Sequence, residues 1–525
     1  MSEVASSPKF EAPPNGFRTF VAIWATQAFS AFGSQLTFFA LTIWLAGNLY
    51  ARDDQKPQLA FALSAISLAF TLSVLIAPIA GAWADRHDRK RTMMVVDATN
   101  GVLSLLLVGL IFTGVLELWM LLVLFPIVAV LFQFHNAAFD ASYAMLVPEK
   151  QLPRANGMMQ TMWSLSAVLS PAIAATVISI PDLLRGAVPP GYDPREGIRQ
   201  GAALAIGLDA VTFFIGAAVL PFLHVPSPKR TDLGEKGAKP KKSIWVDIKE
   251  GARYVRVRKP LLWLLATFTV INFASAPLEV FIPLLLKFNL AADWQAQGFT
   301  LSSALAFLST FGGLGGVAGG ILMSTWGGLK GRRVYGVLVP ILIAGALQAF
   351  YGLSPWFYVT AGLNFLLVGL VPIMNAHSQT IWQTQVPREL QGRVFSVRRV
   401  IAQFSAPLGV LLAGLTGALF NPGWVLAALG LGVVVFGIFQ LFNPYLLRVE
   451  DKAFLDGLAG DGGAGGPGGG DGSETGADLN AATEQPSDGG VSLGSPTSVP
   501  AMPTPNDDIA PSEDESDRLA GYSNR

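Results

Sequence analysis

Apolar runs with few or no charges recur along this chain, separated by short polar or basic stretches. An α-helix rises 1.5 Å per residue, so about 20 residues cross a hydrocarbon core of about 30 Å. Twelve runs reach that length, at approximately residues 19–47, 59–83, 92–114, 117–142, 155–181, 201–223, 260–286, 298–325, 334–353, 355–380, 394–420 and 423–446. No strand alternation of the outer-membrane barrel kind competes, so the backbone polar groups must be satisfied within helices. The predicted fold class is an all-α integral membrane protein with twelve transmembrane helices, spans 1 to 12.

Composition agrees with that pattern. Hydrophobic residues make up 51% of the chain and charged residues 14%, against about 25% charged in a soluble domain. Lys and Arg together number 36, as do Asp and Glu, but the basic residues are unevenly placed. They crowd the N-terminal segment, alternate loops and the exit of span 12, including Arg86, Arg89, Lys90, Arg91, Lys330, Arg332, Arg333, Arg388, Arg393, Arg398 and Arg399. The opposite loops hold only Arg52, Lys56, Arg185, Arg195, Arg199 and Lys287. The positive-inside rule makes the crowded side cytoplasmic, together with both termini, in a bacterial-type plasma (inner) membrane. The first apolar run is too long for a cleaved signal, so span 1 is expected to direct insertion itself. The absence of cysteine excludes disulfides, thiol chemistry and cysteine metal sites. No ligand cluster points to a metal or other cofactor.

The chain divides into a cytoplasmic segment at 1–18, a six-helix bundle at 19–223, a connector at 224–259, a second bundle at 260–446 and a tail at 447–525. Displacing the sequence by 239 positions carries Gly81, Asn136, Val147-Pro148 and Arg154 onto Gly320, Asn375, Val386-Pro387 and Arg393, which marks the bundles as copies of one design. The connector holds eleven basic residues. From Ser243 it can form an amphipathic helix, with Ile244, Ile248 and Val255 on one face and Lys249, Arg253 and Arg256 on another. Such a helix suits either an anionic lipid surface or a cover over the cytoplasmic face. Beyond Asp456 the sequence becomes Gly-rich, then Ser-, Pro- and acid-rich, and is expected to be disordered.

Between spans 2 and 3 lies Gly81-Ala82-Trp83-Ala84-Asp85-Arg86-His87-Asp88-Arg89-Lys90-Arg91. This loop resembles the major facilitator superfamily, whose motif there reads Gly-x-x-x-Asp-Arg-x-Gly-Arg-Arg/Lys. Gly81, Asp85, Arg86, Arg89 and Lys90 fit, whereas Asp88 replaces the usual glycine, a departure that resembles the branch of macrolide efflux proteins and the enterobactin exporter. Val147-Pro148-Glu149-Lys150-Gln151-Leu152 and Gln391-Gly392-Arg393-Val394-Phe395 look like loops of the same branch. The resemblance implies a gate. Asp85 would meet the N-terminus of span 11 near Val394, and Arg89 would bridge to Asp140 at the end of span 4, holding the bundles together while the cytoplasmic side is closed. The second half lacks the matching acid, with Ser324 at the displaced position. In span 5, Ser166-x-x-x-Ser170-Pro171-x-x-Ala174-Ala175 resembles a degenerate antiporter signature, and span 11 offers Ala402-x-x-x-Ala406-Pro407-x-Gly409. Small residues permit close packing and proline bends a helix, so Ser170, Pro171, Ala406 and Pro407 are expected to serve a rocking hinge.

Four acids fall within spans: Asp97, Asp140, Asp209 and Glu279. Each is costly in hydrocarbon and is a functional candidate. Asp97 and Asp140 lie near cytoplasmic ends, where loop arginines can pair them. Asp209 falls on a span expected to be peripheral, which suggests a structural hydrogen bond. Glu279, between Pro277 and Pro283, is the candidate for proton coupling or substrate contact, with Gln27, Ser30, Ser34 and Gln35 of span 1 as neutral polar partners. His135 and His377 read as satisfied histidines in polar corners.

A membrane enzyme would need a nucleophile and base at a shared depth, and an ATP-driven pump a phosphate loop; the sequence has neither. The expectation is a monomeric secondary exporter without enzymatic activity. It would move an amphipathic, drug- or macrolide-like small molecule by alternating access with protons as coupling ion, and it would have the lipid bilayer as its other partner and no nucleic acid. Export of a siderophore or other endogenous metabolite is the nearest alternative, and a non-transporting sensor the more distant one.

Overall fold

A computed structural model describes residues 13–84, 86–148, 151–186, 191–225 and 244–461. Asp85, most of the N-terminal segment, the connector before Ile244 and the acidic tail after Asp461 lie outside the described residues. Twelve helices among those described are long and apolar enough to cross a membrane. They run Gly16–Leu49, Asp53–Ala84, Arg89–Thr113, Leu118–Ser142, Ser164–Arg185, Pro194–Phe222, Lys259–Phe288, Leu301–Trp326, Arg333–Leu353, Phe357–Gln385, Val397–Leu419 and Pro422–Leu441. Large apolar side chains such as Phe112, Leu204, Ile321, Val435 and Phe439 point outward, as a bundle solvated by lipid requires.

Proline and capping chemistry set the breaks. Pro78 lacks an N–H and crowds the carbonyl one turn back, and span 2 passes through a tight turn at Val74–Ile76 before its last segment, Ala77–Ala84. Span 7 breaks likewise, into Lys259–Ser275 and Pro277–Phe288. Span 12, expected to reach residue 446, stops at Leu441 because Pro444 cannot continue it. Asn443 starts a new turn, accepting from the Tyr445 and Leu446 amides. The expectation of disorder from Asp456 is corrected at its start: a helix spans Lys452–Asp461, capped by Asp451 Oδ1, which accepts from Phe454 N at 3.0 Å, and anchored by buried Leu455.

The spans pack as two six-helix bundles. In the first, span 6 packs on spans 1 and 3 with the side that carries Asp209 and turns Leu204, Val211 and Ile215 outward, as a peripheral span does. In the second, spans 8 and 10 meet backbone to backbone. A Cβ on Gly315 or Gly319 would overlap the carbonyl oxygens of Phe365 and Gly369, which is why glycine repeats every four residues there. The bundles meet through spans 2 and 11 and through spans 5 and 8. Ser170 Oγ donates to Phe32 O (3.2 Å), and Ser405 Oγ to Thr269 O (2.7 Å), so the proline-bearing spans 5 and 11 each lean on the first helix of their own bundle.

The two ends of the membrane body differ. At the end opposite the basic loops, here the far end, one buried apolar cluster runs through both bundles, joining Leu36, Trp44 and Leu59 to Phe281, Leu284 and Val410. Toward the basic end the buried apolar residues form two separate clusters, one around Phe20, Met93 and Phe139 and one around Val334, Trp382 and Leu446. Among the described residues, the hydrogen bonds that cross between bundles lie at mid-membrane or at the far end. Thr310 Oγ1 donates to Val168 O (3.1 Å), Lys56 Nζ to Phe420 O (2.8 Å), and Lys287 Nζ to Ala46 O (2.7 Å) and Tyr50 O (2.5 Å).

Before span 7, the helix Ile244–Val257 packs on spans 7 and 11 at the basic end. Val255 is buried, Tyr254 OH donates to Gln385 O (3.1 Å), and the guanidinium of Arg258 covers the Tyr254 ring at 3.8 Å. Lys249, Arg253 and Arg256 are exposed, opposite in burial to Val255, while the side chains of Ile244 and Ile248 lie outside those described.

Candidate functional site

A cavity of about 400 Å³ lies mainly within the first bundle and reaches span 7. Its apolar walls combine Phe38, Phe70, Phe125, Phe132 and Phe213 with aliphatic side chains. The polar groups among them are Ser34, Gln35 and Thr37 of span 1, Ser67 and Thr71 of span 2, Asn100 and Ser104 of span 3, Asp209 of span 6 and Glu279 of span 7. Apolar walls with a few fixed polar groups are what a pocket for an amphipathic organic molecule needs.

The carboxylates are held differently. Asp209 is 2% exposed. Thr37 Oγ1 donates to its Oδ2 at 2.6 Å, and Thr212 Oγ1 bonds its backbone oxygen at 2.7 Å. The close approach of spans 1 and 6 depends on Gly33, where a Cβ would overlap Thr212 Oγ1 and Asp209 Oδ1. The expected structural hydrogen bond is therefore present, although the residue also faces the cavity. Glu279 stands three residues into the second segment of span 7, beyond the break at Pro277, and its side chain is accessible from within the cavity. Gln35 and Glu279 also border a neighbouring space of about 220 Å³ between the bundles, together with Pro171.

Gln27 belongs to a second, smaller cavity of about 170 Å³ nearer the basic end, with Ser30, Asp97, Asn100, His135 and Asp140. Here the sequence reading needs correction. Among the described residues no loop arginine pairs Asp97, which lies deep enough on span 3 that its Oδ1 meets His135 Nε2 of span 4 at 3.1 Å, with Asp97 1% and His135 7% exposed. His135 is thus a partner of a buried acid, which its lone position in an apolar run could not reveal. His377 matches its expectation, accepting from Leu329 N at Nε2 (2.9 Å) with Nδ1 beside Ile373 O (2.8 Å).

At the basic end, Arg89 is buried and reaches span 4, but at Ala141 O (3.0 Å) and Met145 Sδ (2.6 Å) rather than at Asp140. Asp140 borders the smaller cavity, and among the described residues the charged groups that act on it are Arg399 of span 11 and His135. Asp88, the departure from the motif glycine, is the N-cap of span 3 and accepts from Arg91 N at 2.9 Å. Lys90 donates to Pro221 O (2.7 Å) and Leu223 O (3.0 Å), the free carbonyls at the end of span 6, so it ties the first bundle to itself. Arg86 is exposed, and a Cβ on Gly81 would meet no atom within 4 Å.

The chain is similar to known proteins. Macrolide efflux protein A of Streptococcus pyogenes is 26% identical over 399 residues, which cover 75% of this chain and 88% of that protein. The multidrug efflux pump Tap of Mycolicibacterium fortuitum is 24% identical over 401 residues, 74% of this chain and 88% of Tap. The crystal structure of a bacterial homologue of the human lysosomal transporter Spinster, inward-facing and unoccupied, superposes with a TM-score of 0.55 at 16% identity, over 86% of this chain and 96% of that one. A family model, the Major Facilitator Superfamily, matches residues 23–410. The twelve apolar helices in two bundles are therefore those of a multi-pass membrane transporter, and the chain belongs to the Major Facilitator Superfamily.

Proposed function

We propose that this transporter is a proton-coupled exporter of amphipathic small molecules, macrolide-like drugs foremost, in a bacterial inner membrane with both termini in the cytoplasm. The observation that carries this reading is the apolar-lined cavity with Asp209 and Glu279 in its walls, a place where an amphipathic substrate and a protonatable group can compete. The efflux proteins named above and the excess of Lys and Arg at one end support the direction and the orientation. The apolar core shared across the far end supports an inward-open resting arrangement, with substrate entering from the basic, cytoplasmic side. Alternating access then requires the far-end contacts to part while the basic end closes, with Arg89, Asp140 and Arg399 as the charged groups nearest that closure.

The test is efflux of a panel of dyes, macrolides and siderophores from cells or vesicles carrying wild type or Glu279→Gln, with and without an imposed proton gradient. Gradient-dependent export of a macrolide, reduced at least tenfold in Glu279→Gln, is the expected result; a tenfold loss corresponds to about 1.4 kcal/mol. Export indifferent to the gradient refutes proton coupling, and full export by Glu279→Gln refutes a coupling role for that acid. Export of a siderophore alone would assign the endogenous-metabolite class.

A further inference from the structure

We propose that Asp97 and His135 form a proton-carrying site in the first bundle, linking the main cavity to the basic end through Asp140. This inference rests on the proton-coupled reading above. Asp97 Oδ1 and His135 Nε2 stand 3.1 Å apart and almost wholly buried. A pair with only a structural task would be expected to have its remaining polar atoms satisfied by the protein. Here Asp97 Oδ2, Asn100 Oδ1 and Gln27 Nε2 are buried without a hydrogen-bond partner among the described residues, as is His135 Nε2, which sits near Asp97 Oδ1 without hydrogen-bond geometry, and all four side chains line the 170 Å³ cavity. The unpartnered polar groups in its mixed walls and that volume suit a short file of ordered waters, the medium in which protons move between side chains.

The cavity has a route at each end. Asp97, Asn100 and Ser104 follow one another on one face of span 3; Ser104 and Asp209 line the main cavity together, and Asn100 lines both it and the smaller cavity. In the other direction lies Asp140, exposed toward the basic end, with Arg399 of span 11 as its cationic neighbour. The titratable and charged groups facing the pair are therefore Asp140 from span 4, Arg399 from span 11 and, across Ser104, Asp209 from span 6. The smaller cavity's walls from spans 1, 5 and 6 add no titratable residue among those described.

The step is a proton transfer without redox change. A proton entering from the main cavity bonds the Asp97–His135 pair, and as it leaves, the N–H or O–H bond breaks while an O–H bond forms on water and then on the Asp140 carboxylate. The imidazole suits the task because its charge changes within the physiological range.

The experiment uses full-length protein in proteoliposomes, with a radiolabelled macrolide as probe. Wild type, Asp97→Asn, His135→Gln and the double variant, whose two amides keep the size and polarity of the pair without its charge, are compared in two assays: accumulation driven by an imposed pH gradient, and equilibrium exchange at equal pH, which needs no net proton movement. Exchange held within about threefold while gradient-driven accumulation falls at least tenfold is the expected result. Gradient-driven accumulation kept by the variants overturns the site and leaves the proton-coupled reading standing; wild type indifferent to the gradient overturns that reading itself. Loss of both activities in every variant that remains monodisperse assigns the pair a structural role and also overturns the site. Should the variants not fold, 15N-histidine spectra of wild type, with four histidines to resolve, decide: a His135 ring that titrates between about pH 5 and 8 supports the site, and a ring that does not change overturns it.

Discussion

Replacing Lys287 should open the far end of the transporter. Span 1 finishes in a widened turn at Leu45–Leu49, where Tyr50 N bonds Leu45 O across five residues, and the carbonyls at this helix end are left for an outside donor. The ammonium of Lys287, from the other bundle, supplies it at Ala46 O (2.7 Å) and Tyr50 O (2.5 Å). A cation at a helix C-terminus also gains from the helix dipole. Each hydrogen bond to a charged group contributes roughly 1.5–3 kcal/mol. The lysine is only half buried and regains water when the bundles part, which leaves a net bias of about 1–3 kcal/mol toward the closed far end, or roughly 5- to 150-fold in population. Lys56 makes the reciprocal contact to Phe420 O, but at an exposed position, so its share should be below about 1 kcal/mol. Because the native chain has no cysteine, spin labels at Asp54→Cys and Gln295→Cys, exposed on opposite bundles at the far end, report the separation directly. In Lys287→Met the long-distance population should rise on the order of tenfold, and in Lys56→Met by less than about fivefold. An unchanged distribution in Lys287→Met, or a larger shift in Lys56→Met, would refute the clasp.

Two further outcomes concern folding. Gly319→Ala drives a methyl into the Gly369 carbonyl and should lower stability by about 1–3 kcal/mol or more. The neighbouring Gly320→Ala meets nothing within 4 Å and should be neutral or stabilising by about 0.5–1 kcal/mol. Thermal unfolding in detergent distinguishes them, and equal melting temperatures would contradict the packing described for spans 8 and 10. At the start of span 3, Asp88→Ala should cost about 0.5–2 kcal/mol, whereas Asp88→Gly, the residue usual in the motif, should cost only a few tenths relative to a good cap. The same melting assay applies, and a glycine variant as unstable as the alanine one would mean that Asp88 serves more than the cap.

The sequence by itself determined the twelve spans, their division into related halves and the class of protein. Lipid offers no partner for a backbone amide, so each crossing must be a complete helix, and its apolar run stands in the sequence uninterrupted. Local breaks were legible for the same reason: Pro277 carries its consequence within a few residues of itself. The ends of spans were less so, since Asn443 and Asp451 start new turns just where the apolar runs fade. The site was half visible. Asp209 and Glu279 declare themselves as acids in apolar runs, but which wall they face depends on how the helices rotate against one another. Span 6 turned Asp209 inward because Gly33 lets span 1 come close. Only the tertiary structure decided that Asp97 belongs with His135, 38 positions away, that Asp140 looks to Arg399 rather than Arg89, and that Lys287 closes on Ala46 across 241 positions. Hydropathy fixes a helix in the membrane but leaves its rotation and partner free. Those are settled by small residues, buried polar pairs and helix-end carbonyls that come together only when the bundle forms.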